Sequence, residues 1–184
     1  MIIKKFLSLL NPYKTDLPTF TIVGVGPGDP SLLTIAAVDA IKKAKVIVFP
    51  ISDDNKKSFA AEIVKKYTKF KKNIPIIFPM ARKDFDPDEI WSYAVEKIVK
   101  FIKNGESVVL LCLGDTSIFA SSSNILRIIK HDYPEIITKT IPGISSVSAA
   151  AALNVGMPDQ IIQYASQYKK QLMPYFSLIL IRFD

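Results

Sequence analysis

The chain has 184 residues, of which 49% are hydrophobic and 22% charged, and its formal net charge is +7. That apolar share excludes a disordered chain, and the length suffices for one good-sized domain or two small ones. One cysteine, Cys112, and one histidine, His131, exclude an intrachain disulfide framework and argue against a zinc or iron–sulfur site; no metal is expected.

The first ten residues, MIIKKFLSLL, form a short apolar and basic run with no small-residue cleavage site after it, so residues 1–18 read as a lead-in segment. Thr19 to Val25 (TFTIVGV) predicts a strand that enters a Gly/Pro loop. Asp29-Pro30 then starts a helix, with Asp as N-cap and Pro at N1, where no N–H is needed. Leu32, Leu33, Ala36, Ala37, Ala40 and Ile41 recur at helical spacing and give it one buried face. Val46 to Phe49 predicts the second strand, ended by Pro50. A helix follows over Ser58 to Lys69, and Ile74 to Phe78 is a short strand.

A long helix is expected from Asp88 to Lys103, stopped by Asn104-Gly105. Ser107 to Leu113 (SVVLLCL) reads as a fully buried strand that feeds the loop Gly114-Asp115-Thr116-Ser117. A helix to Lys130, a strand over Ile136 to Ile141, a break at Pro142-Gly143 and a helix over Ile144 to Leu153 complete the pattern. Strands that alternate with helices, with apolar runs too continuous for a one-sided sheet, predict an α/β fold with a mostly parallel sheet flanked by helices. This N-terminal domain is expected over residues 19–153. Residues 154–184 hold two strand-like runs, Gln160 to Tyr164 and Ser177 to Phe183, too little to bury a core of their own.

The lysines cluster at Lys56-Lys57, Lys65-Lys66, Lys69 and Lys71-Lys72. They are either a solvated surface or a field that steers an anionic partner. No basic stripe interleaved with aromatics speaks for nucleic acid, and no apolar run reaches the roughly 18–20 residues of a membrane span.

In such sheets ligands bind beyond the carboxyl ends of the strands, and three loops fall there. The first is Gly24-Val25-Gly26-Pro27-Gly28-Asp29-Pro30. It fails the dinucleotide fingerprint, because Asp29 stands where the third glycine belongs and would oppose a pyrophosphate. Pro27 also removes an N–H, so a phosphate-free ligand suits the loop better, or no ligand at all. The second loop offers Asp115 after Gly114, where a ligand can approach the backbone closely. The third offers Ser145 and Ser146 near a helix N-terminus, whose free N–H groups suit a carboxylate or a purine acceptor. Ordinary helix capping also accounts for the second and third loops. No nucleophile elbow accompanies His131, and Cys112 reads as an inert core thiol.

Together and in this order, the three loops resemble the tetrapyrrole methylases, S-adenosylmethionine-dependent enzymes of corrinoid and sirohaem synthesis. The matching stretches are TIVGVGPGDPSLLTIAAVDAIKKAKVIVFP, LCLGDTSIFASSSNILRII and IPGISSVSAAAALNVGMP. Within the family the chain is most similar to the precorrin-2 or cobalt-factor II C20-methyltransferases. The uroporphyrinogen III methylases carry a Tyr-Asp-Arg-Leu type of sequence where this chain has Val48-Phe49-Pro50-Ile51-Ser52.

The resemblance implies a cofactor site for S-adenosylmethionine. Pro27 would line it. Leu113, Gly114 and Asp115 would hold the methionine end, partly through the Asp carboxylate on the cofactor's ammonium. Ile118 would pack beside it, and Ser145 and Ser146 match a Thr/Ser-Ala-like pair of the family. The implied substrate is an anionic tetrapyrrole, precorrin-2 or cobalt-factor II, methylated at C20, with no catalytic base identifiable. A homodimer in the cytoplasm is implied as well, with neither nucleic acid nor membrane as a partner. Family members have a complete second α/β domain, so residues 154–184 are expected to be the start of an incomplete C-terminal domain. The alternatives are a non-catalytic remnant, a subunit of a split methylase, or a related methylase with another substrate.

Overall fold

The computed structural model describes residues 17–52, 57–78, 87–117 and 122–153. Five parallel strands make one sheet: β1 (Thr19–Gly24), β2 (Val46–Ile51), β3 (Lys72–Ile77), β4 (Val108–Cys112) and β5 (Ile137–Ile141). Their spatial order is β3-β2-β4-β1-β5. The helices are α1 (Ile35–Lys43), α2 (Phe59–Thr68), α3 (Pro87–Lys103), α4 (Ser122–Asp132) and α5 (Ser146–Leu153). The strand-like runs expected after residue 153 lie outside the described residues.

The continuous apolar strands are buried from both sides. Phe20, Ile22, Val46, Val48, Val108 and Leu110 pack against Ala94, Ile98 and Ile102 of α3 and Ile125 and Ile129 of α4. Their alternates Val23, Ile47, Val109 and Leu111 pack against Ala37 and Ile41 of α1 and Ala60, Ile63 and Val64 of α2. Successive side chains of a strand point to opposite faces, so an unbroken apolar run requires helices on both. Each such side chain contributes roughly 1.5–3 kcal/mol of burial.

Two local expectations are corrected. Asp29 and Pro30 start only a 3-10 turn, Pro30–Leu32, in which the Asp29 carboxylate accepts from Ser31 N at 2.7 Å. Leu33 is then extended, and α1 begins at Ile35, capped by Thr34, whose Oγ1 accepts from Ala37 N at 3.1 Å. Of the six residues expected on one face, Ala37 and Ile41 are buried, while Ala36 is exposed. Pro50 does not end β2, which runs on to Ile51. Beyond Val48 the strand is paired only with β3, so Pro50 sits on a local edge, where a missing N–H is tolerated.

The stop of α3 is as expected. Gly105, at φ +80°, donates to Ile102 O and Glu106 N donates to Phe101 O, a Schellman closure. The last carbonyls of α1 are capped from elsewhere in the chain. Lys71 Nζ donates to Lys42 O at 2.8 Å and to Ala44 O at 2.5 Å.

Candidate cofactor-binding site

The topology places a crevice between β1 and β4. From β1 the chain passes to α1 on one face of the sheet, and from β4 it passes to α4 on the other. These two strands are neighbours, so their carboxyl ends form a topological switch point, where α/β sheets bind ligands.

Backbone contacts join all three expected loops there. Gly26 and Gly114 exchange two hydrogen bonds, at 3.1 and 2.8 Å, which ties the exit of β1 to the exit of β4. The exit of β5 lies against both. A β-carbon on Gly143 would stand 2.2 Å from Gly114 O and 2.8 Å from the carbonyl carbon of Gly24. Gly114 has φ +72°, a left-handed conformation that favours glycine, and among the described residues nothing lies within 4 Å of where its β-carbon would be. A ligand can therefore approach the backbone at Gly114.

Asp115 is 9% exposed. Its Oδ1 accepts from Ser117 N at 2.8 Å and from the Ser117 hydroxyl, and its Oδ2 accepts from Gly143 N at 2.9 Å. The Ser117 hydroxyl first, then the Ser117 N–H, hold this carboxyl below its usual range, with further help from Gly143 and Thr116 N–H groups. Asp29 is held low in the same way by the N–H of Ser31. Cys112 ends β4, and its Sγ lies 3.7 Å from Leu113 O and from Asp115 O. Burial pushes this thiol up from 9.0, and the Asp115 charge pushes in the same direction.

Of the residues expected in the site, Pro27, Leu113 and Gly114 are half-buried at the crevice, and Asp115 is buried beside it. Ser145 is buried and caps α5: its Oγ accepts from Ser148 N at 3.1 Å and donates to Ser148 Oγ at 2.8 Å. Ser146 is the exposed first residue of α5, and Ile118 lies outside the described residues. Gly24, Gly26, Gly143 and Ser117 stand in the loops marked by the sequence, but no role in the site was expected of them. The strand-end position of each glycine was the available signal.

Among the described residues no group of three or more His, Cys, Asp or Glu could hold a metal ion, and no helix is long and apolar enough to cross a membrane. The lysines around residues 65–72 gather with Lys42 and Lys45 at the amino ends of β2 and β3, the end of the sheet opposite the crevice. There Lys42 and Lys66 both lie over the Tyr67 ring, and Lys72 pairs with Glu106.

Residues 19–159 match the profile of the tetrapyrrole (corrin/porphyrin) methylases. The chain belongs to this family. It is 37% identical over 134 residues to the probable cobalt-precorrin-2 C(20)-methyltransferase of Methanocaldococcus jannaschii, a match that covers 72% of this chain and 56% of that protein. It is 36% identical over 141 residues to the uroporphyrinogen-III C-methyltransferase of the same organism, covering 74% of this chain and 51% of the other. The chain thus spans about half the length of these relatives. Among solved structures, the uroporphyrin-III-C-methyltransferase of Thermus thermophilus superposes with a TM-score of 0.55 at 18% identity, over 76% of this chain and 54% of that one, which shows the methylase fold.

Proposed function

We propose that this chain provides the S-adenosylmethionine site of a tetrapyrrole C-methyltransferase, and that the substrate is precorrin-2 or cobalt-factor II, methylated at C20 in cobalamin biosynthesis. The observation that carries the reading is the convergence of three loops on one crevice at the switch point. These are the loops that carry the family resemblance. The C20 assignment draws on the relative at 37% identity and on Pro50, which stands where the uroporphyrinogen III methylases carry an acid. Residues 19–153 form the domain, residues 1–18 lead in, and residues 154–184 begin a second domain. The working form is a cytoplasmic homodimer.

The residues present fit such a cofactor. Among the described residues nothing covers the backbone at Gly114, and the first loop, with Pro27 and Asp29, does not suit a phosphate. Pro27, Leu113, Gly114, Ser145 and Ser146 would hold the cofactor, with Ile118 beside it. When bound, it supplies an electrophilic methyl group on a sulfonium sulfur. The chain's contribution is to position the reacting atoms in line, at about 3–3.5 Å.

Calorimetric titration of the purified chain with S-adenosylhomocysteine tests the site. Saturable binding followed by methylation of precorrin-2 is expected. Binding without turnover would leave a binding module or a split-enzyme subunit, and no binding by folded chain would overturn the reading.

A further inference from the structure

We propose that Asp115 is a positioning residue of this site, which acts by holding Gly143 against the β4 loop and not by touching the cofactor. The inference rests on the reading of the crevice as a cofactor site. A carboxylate offers about four acceptor positions. Among the described residues three hydrogen bonds reach it, from Ser117 N, the Ser117 hydroxyl and Gly143 N, and the Thr116 N–H adds a weaker pull. Asp115 takes part in none of the ion pairs among the described residues, and the titratable side chain beside it is Cys112.

The bond to Gly143 spans 28 positions of sequence and links two loops that no strand ladder joins, since β4 and β5 flank β1 on opposite sides. The Gly26–Gly114 bridge ties β1 to β4, and Asp115 ties β4 to β5. The two links make one rim from three strand ends. A rim ordered in advance lowers what the ligand must spend in ordering loops on binding.

Asn at this position has nearly the same shape but one acceptor oxygen. Its amide NH2 would face either the Ser117 N–H or the Gly143 N–H, donor against donor. Asp115→Asn therefore releases one of the two loops.

Two ligands separate positioning from direct contact. S-adenosylhomocysteine carries an ammonium group, and 5′-methylthioadenosine does not. A carboxylate that ligates the ammonium affects only the first; a carboxylate that shapes the rim affects both. In the full chain, Asp115→Asn is expected to weaken both by about tenfold, as loss of a charge-assisted hydrogen bond would. Ser117→Ala, which keeps the carboxylate, is expected to weaken both less. This second variant decides the matter should Asp115→Asn fail to fold. Loss confined to S-adenosylhomocysteine, or no loss with either ligand, overturns the proposal.

A ligand-free readout keeps this separate from the proposed function. In the wild-type chain the Gly143 amide proton should shift as Asp115 is protonated. Because its hydrogen bonds hold the folded carboxyl low, the link is complete above the ordinary 3.8 and is lost as pH falls below it. An amide that does not titrate there overturns the clamp even if ligand binds. Absence of binding to the wild type overturns the cofactor reading instead and leaves the amide titration to decide the clamp.

Discussion

Gly143 packs against Gly24 with no room for a side chain on either. A β-carbon on Gly24 would stand 2.5 Å from Gly143 N, and one on Gly143 would stand 2.9 Å from Gly24 O. The obstructing atoms are backbone, so they cannot swing aside as a flexible side chain would. Two glycines 119 positions apart therefore set how closely the exits of β1 and β5 approach.

Gly143→Ala should accordingly open the rim. Overpacking of this kind costs about 1–3 kcal/mol. The expected result is a lower thermal midpoint together with weakened S-adenosylhomocysteine binding. An alanine variant with unchanged melting and unchanged affinity would show that the loops are not held by this contact.

Lys71 tests a structural link at the opposite end of the sheet. Its ammonium replaces the missing partners of the Lys42 and Ala44 carbonyls, where the α1 dipole is negative. Lys71→Met keeps the stem and removes the charge. Much of the group meets solvent, so a destabilisation of roughly 0.5–1 kcal/mol is expected in urea titrations, with ligand binding at the far crevice unchanged.

Cys112 should be slow to react. Burial raises its thiol above 9.0, so at pH 8 the folded chain holds less thiolate than an unfolded one. Alkylation by iodoacetamide is expected to be several times faster in denaturant than in buffer. The sign for stability follows: the neutral thiol favours the fold fully below 9.0, and this contribution fades as pH rises above it. Equal alkylation rates in both conditions would contradict the burial.

Much of the architecture was legible because burial on two faces leaves an unbroken apolar signature. Ser107 to Leu113 reads as a core strand without any knowledge of its neighbours, and β4 occupies Val108–Cys112 within it. Turn chemistry was read less well. Asp29-Pro30 carries every local mark of a helix start, yet Thr34 caps α1. Both side chains can cap, and local propensity does not choose between two competent caps five residues apart.

The sequence by itself determined most of the described elements, the parallel α/β class, the family and the three loops worth attention, because each of these is written in short-range pattern or in motifs. Only the tertiary structure decided how the loops meet. The strand order β3-β2-β4-β1-β5 sets β1 between β4 and β5 and so brings Gly24, Gly114 and Gly143 together. It also decided that the Asp115 carboxylate faces Gly143 and that the lysines of α2 and β3 gather at the end away from the crevice. These relations depend on which strands become neighbours across many tens of residues. Chain connectivity and long-range packing fix that choice, and no local stretch of sequence contains it.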